Sequence, residues 1–383
     1  MKPIIAVPAV LGLVYRAHSR KSLTPLGITA AFLTAIAHAV HPWSAPFFLL
    51  AVFYLGGTKV TKIKHDFKAS LTLSATGSEG NDTQRTHNQV LANSIVASIL
   101  SLLYAYLHAK NKSRGQCFSF GGDALDLLTV GIVAYGKISF SQTHYFSSPL
   151  RGCKSNYAAV AADTFSSELG ILSKSKPRLI TSPTLRVVPP GTNGGVTATG
   201  LFAGILGATT IALTSIVLLP FCSDGAGIDI KTRVQLFLAV TAWGALGSVV
   251  DSILGGLLQA SVIDKRTGKI VEGSGGKKVL IHPASTQHDG IDNVGSQSSS
   301  VKGDVHLRNT EAVANMVALK GSKATSSPIK TQSSEKHDPA HESRRVETGW
   351  DLLDNNGVNL LMASVMSLGG IAIASWVWDV PVR

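Results

Sequence analysis

"WGALGSVVDSILGGLLQA", Trp243 to Ala260, decides how the chain is read. With the apolar residues from Leu236 onward it reaches the roughly 20 residues needed to cross a hydrocarbon core. Gly247, Asp251, Gly255 and Gln259 fall at every fourth position, so a helix presents them as one small, polar stripe. Small residues let a second helix approach closely in lipid. The stripe therefore faces a neighbour and turns Asp251 into a bundle. A carboxylate at such depth costs at least ~2.5 kcal/mol on insertion scales and needs a partner, a cavity or a cation.

The rest of the chain agrees. Of 383 residues, 45% are apolar, only 15% are charged and 37 are glycine, and the mean hydropathy is +0.23, which is too oily for a typical soluble enzyme. Apolar windows run from Ile4 to Val14, Pro25 to Val40, Trp43 to Leu55, Asn88 to Leu107, Ala124 to Tyr135, Tyr157 to Leu172, Gly200 to Pro220, Leu236 to Gln259 and Val358 to Trp378. They predict an all-α, polytopic integral membrane helical bundle of about seven to nine membrane segments, some short enough to be re-entrant. The segments ending near Leu107, Pro220, Gln259 and Trp378 are the best defined. "MKPIIAVPAVLGLV" has the length of a secretory signal, but further oily runs follow at once and it is read as a retained first helix.

The net charge of +12 does not point to nucleic acid, because the basic residues lie in short loops without interleaved aromatics. Anionic lipid is the plainer partner. Cys117, Cys153 and Cys222 show no C-x-x-C spacing and are expected to be unpaired. The composition divides the chain into a membrane domain with active-site loops (1–282), a disordered polar insertion (283–345) and a final membrane helix (346–383). "AVANMVALK" within the insertion has the pattern of a short helix. If Tyr157 to Leu172 is re-entrant, "SRKS", "KVTKIKHDFK", "LSKSKPR" and the insertion share one side, which the positive-inside rule makes cytosolic, with "AKNKSR" as the exception.

A pair of carboxylates lies in "ADTFSSELG", Ala162 to Gly170. On a helix Asp163 and Glu168 stand about 140° apart, so they do not share one ion. Asp163 is matched instead with Asp251 as a candidate Mg²⁺ pair, since Mg²⁺ takes one or two carboxylates plus substrate phosphates. Glu168 is matched with the basic loop it introduces. That loop carries Lys174, Lys176 and Arg178, then Gly191, Thr192, Asn193, Gly194 and Gly195 just before a helix begins. Its glycines would let consecutive backbone N–H groups face an anion. Asn355 and Asn356 sit where capping is the default, whereas Asn93 and Asn359 lie a turn inside their helices. Asn93, Asn355 and Asn359 are therefore added as candidate contacts to nucleotide or phosphate.

Taken in order, "NQVLAN", "ADTFSSELG", "LSKSKPRLITS", "VPPGTNGGVTATGL", "GALGSVVDSILGGLLQ" and "LLDNNGVNLL" resemble the transmembrane protein 19 family, which has a plant relative that phosphorylates phytyl phosphate. More distantly, the acidic motif followed by a Pro-Gly turn is similar to CTP-using lipid enzymes. The resemblance implies a nucleotide-dependent kinase that converts an isoprenoid monophosphate to the diphosphate, with CTP as the first donor to test. It carries over Asp163 and Glu168 as the acidic motif, Gly191 to Gly195 as the glycine loop and Asp251 as the membrane aspartate. "GSEGNDTQRTHNQ" is interrupted relative to the family's more compact Gly-Arg-Asn stretch, so Arg85 receives no role from it.

The expected partners are an isoprenoid lipid phosphate, a nucleotide and membrane lipid, and the endoplasmic reticulum is the default membrane. Two rival readings remain: a transporter or flippase for an anionic lipid or small anion, and a non-catalytic scaffold whose polar residues only pack helices.

Overall fold

The computed structural model describes residues 1–78, 84–110, 117–118, 124–132, 156–221, 230–279 and 344–378. Two units divide the chain, Met1–Ile281 with Ser343–Arg383, and His282–Glu342. The second unit, with nearly all of the polar insertion and the helix expected at Ala312 to Lys320, lies outside the described residues.

The described helices are α1 (Pro3–Ser19), α2 (Pro25–Ala39), α3 (Ala45–Lys62), α4 (His65–Ala69), α5 (His87–Lys110), α6 (Ala124–Ile132), α7 (Asn156–Gly170), α8 (Ala198–Leu218), α9 (Ile230–Leu258) and α10 (Asn355–Trp378). Proline opens α1, α2 and α3 at the first or second position, where its missing N–H costs nothing. Helices α5, α8, α9 and α10 are long and apolar enough to cross a membrane, and they are the four segments that hydropathy defines best. Large apolar side chains such as Phe202 and Val217 are 72% and 73% exposed on α8, as a lipid-facing surface requires.

Helix α7 is the centre of the bundle. Its 15 residues cover only about 22 Å at 1.5 Å per residue, yet every side chain from Asn156 to Ala162 is buried. Four of those residues are alanines, and glycines of α8 and α9 lie directly on them. A Cβ on Gly207 would lie 2.5 Å from the Ala161 carbonyl oxygen, and one on Gly244 would lie 2.6 Å from the Cβ of Ala208 and 2.8 Å from that of Ala158. Gly247, from the stripe that opened the sequence reading, meets Ala159 in the same way. With no large side chain between them, α7, α8 and α9 pack backbone against backbone. One polar tie crosses this core: Nδ1 of His38 donates to the Thr34 carbonyl at 2.7 Å, which leaves Nε2 to accept from the Tyr157 hydroxyl at 2.6 Å.

A small sheet, not anticipated from hydropathy, accompanies the helices. Strands β1 (Thr72–Ser74), β4 (Ser261–Asp264), β5 (Ile270–Glu272) and β6 (Arg344–Thr348) stand in the order β1-β5-β4-β6, with β1 parallel to β5 and the other pairs antiparallel. Helix α9 runs almost directly into β4, and all four residues of β4 are buried. Arg344 and Arg345, assigned from composition to the insertion, belong to β6. A two-strand pair, β2 (Arg178–Leu179) with β3 (Gly195–Val196), folds the α7–α8 loop back on itself. Cys117 is held in a disulfide, so the expectation of unpaired cysteines does not hold for it. Cys153 and Cys222 lie outside the described residues.

Gly247→Ala is expected to destabilise by about 1–3 kcal/mol through overpacking against Ala159. Gly12→Ala, where no atom lies within 4 Å of the new Cβ, is expected to be neutral or mildly stabilising. Melting temperatures in detergent compare the two, and equal temperatures would remove the argument for backbone contact.

Candidate functional site

One end of the bundle gathers the sequence-predicted residues other than Lys174, Lys176 and Arg178. The C-terminal ends of α7 and α9 meet there with the N-terminal ends of α5, α8 and α10 around a cleft of ≈ 330 Å³. Asp163, Glu168, Asp251, Gly191 to Gly195, Asn93, Asn355 and Asn359 all line it. A second cleft of ≈ 380 Å³, against the sheet, shares Gln89, Glu168, Gly191, Asn193 and Glu272 with the first. The three helix N-termini add partial positive charge to the same space.

The close contact of α7 with α9 brings the Asp163 and Asp251 carboxyl groups within hydrogen-bonding reach of each other. Oδ1 of Asp251 is enclosed and has no hydrogen-bond partner among the described residues. Two carboxylates held face to face repel unless a proton or cation lies between them. The oxygen donors suit a hard divalent cation. Among the described residues no group of three or more His, Cys, Asp or Glu gathers as a metal cluster, so substrate phosphates and water would have to supply the other ligands.

Glu168 finds a partner that was not foreseen. Its Oε2 accepts from Nζ of Lys68 at 2.5 Å, and the same ammonium donates to the carbonyls of Val60 at 3.2 Å and Thr61 at 2.6 Å. All three N–H donors of Lys68 are thus committed: it caps α3 and fixes the end of α7. The expected match of Glu168 with its following loop is replaced by this long-range pair.

Arg85 is the second cation at the site. Its backbone bridges to Leu23, and its Nη2 donates to the Thr61 hydroxyl at 2.8 Å. Burial lowers its pKa, opposed by the nearby Glu168 carboxylate. With five N–H donors and a place on the cleft wall, Arg85 has capacity left for an anion. Lys174, Lys176 and Arg178 are solvent-exposed and are absent from the walls of both clefts. Strand β2 holds the Arg178 side chain against the Leu185 carbonyl at 3.2 Å.

The glycine loop is a wall more than a cradle. The N–H of Thr192 goes to Pro189 O at 3.3 Å, that of Asn193 to Ser261 Oγ at 2.9 Å and that of Gly195 to Thr192 O at 2.9 Å. A run of consecutive free N–H groups, as expected from sequence, is therefore not present. The glycines serve close approach instead: Gly194, at φ +76°, would place a Cβ 2.8 Å from Cα of Gly256 on α9. At α10 the cap is Asp354, whose Oδ1 accepts from Gly357 N at 2.8 Å. Asn355 is thus free of the capping role and Asn356 reaches across to Gly275 O at 2.9 Å. Sequence reasoning passed over Lys68 and named Arg85 without giving it a role, because their partners come from distant segments.

Lys68→Met and Glu168→Gln, alone and combined, are expected to show a coupling of about 0.5–3 kcal/mol in thermal unfolding. Additive effects would mean that the pair does not join α4 to α7.

Comparison with known proteins follows the same lines. No solved structure matches the chain. Protein PGR of Arabidopsis thaliana is 34% identical over 260 residues, which is 67% of this chain and 79% of that protein. An uncharacterized membrane protein of Methanocaldococcus jannaschii is 45% identical over 114 residues, covering 30% of this chain and 42% of its own length. The plant relative fits the resemblance drawn from the motifs. The family described as integral membrane protein DUF92 matches residues 8–367, and the chain belongs to this DUF92 family of integral membrane proteins.

Proposed function

We propose that the protein is a nucleotide-dependent kinase that phosphorylates an isoprenoid monophosphate, with the cleft at the end of the bundle as its active site. The observation that carries the reading is the meeting, in one cleft, of the Asp163–Asp251 pair with the Arg85 guanidinium. Phosphoryl transfer depends on positioning and charge neutralisation more than on covalent help from the protein. An oxygen of the lipid monophosphate forms the new P–O bond to the terminal phosphorus of the donor. The bond from that phosphorus to its bridging oxygen breaks, and a nucleoside diphosphate leaves. The acceptor is already an anion, so no general base is required.

Asp163 and Asp251 would hold Mg²⁺, which when bound neutralises charge on the donor phosphates. Arg85 pairs with phosphate oxygens, while Lys68 holds Glu168 and cancels its negative charge. Gly191 to Gly195 shape the wall against which the donor rests, and Asn93, Asn355 and Asn359 supply neutral polar contacts. CTP is the first donor to test. The gathering of "SRKS", "KVTKIKHDFK" and "LSKSKPR" at the site end supports a cytosolic active site by the positive-inside rule. We place the protein in the endoplasmic reticulum membrane, the default for a polytopic chain.

Purified protein given Mg²⁺, labelled CTP or ATP and phytyl or geranylgeranyl monophosphate is expected to yield the diphosphate, and chelation by EDTA to stop the reaction. Folded protein that makes no product with any nucleotide would sink the kinase reading. Asp163→Asn, Asp251→Asn and Arg85→Ala are each expected to lower kcat/KM by about 10²–10³-fold, the scale of one preorganised electrostatic group. Unchanged activity in all three would return the polar residues to a packing role.

A further inference from the structure

An apolar cavity lies beside the polar cleft, between α1, α2, α3 and α5. Leu13 and Ala17 of α1, Ala31 and Ala35 of α2, and Leu50 and Phe53 of α3 form its walls. Along α2 it extends from Ile28 to Ala35, about 10 Å at 1.5 Å per residue. Its charged and amide side chains, Arg85, Gln89 and Asn93, are shared with the cleft that holds Asp163 and Asp251, and Thr34, Tyr54 and Ser94 add hydroxyl groups to an otherwise apolar lining. The same three side chains therefore bound an oily space on one side and a charged one on the other.

The outer wall is loosely built. Only Val10 and Ala17 of α1 are buried, and Pro8 lies inside the helix, where it removes a backbone hydrogen bond. Ile4, Tyr15 and Leu11 are 81%, 74% and 58% exposed. This helix has little packing to lose if it shifts, and its Leu13, Val14 and Ala17 line the cavity.

We infer that this cavity receives the first part of the isoprenoid tail of the lipid monophosphate, an inference that rests on the kinase reading for the identity of the headgroup. A tail lying along Ala31 and Ala35 brings its phosphate to Arg85, and the rest of the chain leaves past α1 into the bilayer. The arrangement matches one amphipathic ligand: hydrocarbon on the alanine side and an anion at the guanidinium. Water-soluble phosphates fill only the polar half and gain nothing from the cavity.

The test uses the full-length protein in detergent with geranylgeranyl monophosphate carrying a photoreactive diazirine on its first isoprene unit. Labelling is expected on peptides of α1 and α2 that contain Leu13 and Ala31, and unlabelled geranylgeranyl monophosphate is expected to compete it away. Leu13→Trp, placed on the loosely packed helix, is expected to reduce that labelling about tenfold, a change equivalent to 1.4 kcal/mol, whereas Gly12→Ala, on the same helix but off the cavity wall, leaves it intact. Size-exclusion profiles of both variants guard against misfolding. Label confined to the outer lipid-facing surface overturns the tail site, and so does competition by diacyl phosphatidic acid in place of the isoprenoid. Label in the cavity of a protein that makes no diphosphate keeps the tail site and removes the kinase. Diphosphate formation with label elsewhere does the reverse.

Discussion

Everything at the candidate site depends on the contact of a small, alanine-rich helix with glycines on two neighbours. Helix α7 can lie at the middle of the bundle because Gly207, Gly244 and Gly247 offer it backbone where other residues would offer side chains. In lipid, where burial of apolar surface gives no drive for helices to associate, such van der Waals contact is the main source of cohesion. It also fixes the chemistry. Asp163 follows the alanine run by one residue, and Asp251 follows Gly247 by one turn. Seating the alanines on the glycines leaves the two carboxyl groups no choice but to face each other.

The ends of the helices then decide the sign of the surrounding field. Lys68 spends its ammonium on the end of α3 and on Glu168, which neutralises a carboxylate that would otherwise repel an anionic ligand. Arg85 keeps donors available beside the cleft. The N-termini of α5, α8 and α10 face the same space, so an anion meets one uncommitted cation and three favourable dipole ends. The sheet and the glycine loop close the mouth, held by hydrogen bonds such as that from Asn193 N to Ser261 Oγ.

Local pattern carried a good deal of this. Hydropathy marked the four long helices, because length and composition are properties of a segment alone. The spacing of Gly247, Asp251, Gly255 and Gln259 announced a close-packed face, and the periodicity of a helix separated Asp163 from Glu168. By contrast, the four-stranded sheet is assembled from pieces three to five residues long that have no period to read. The basic loop after α7 looked like the source of positive charge, yet Lys174, Lys176 and Arg178 are all exposed to solvent.

The sequence by itself therefore determined a polytopic helical membrane protein with buried carboxylates, since an ionised group in an oily run is costly wherever that run finally sits. Only the tertiary structure decided which carboxylates and cations meet. Lys68 with Glu168 and Arg85 with Thr61 are pairs between distant segments, and nothing in the spacing of either partner encodes the other, whereas Asp163 was already matched with Asp251 because each buried carboxylate needs a partner. The reason is physical: periodicity reports which face a residue occupies, whereas pairing depends on how closely two backbones can approach, and here that distance is set by glycine against alanine.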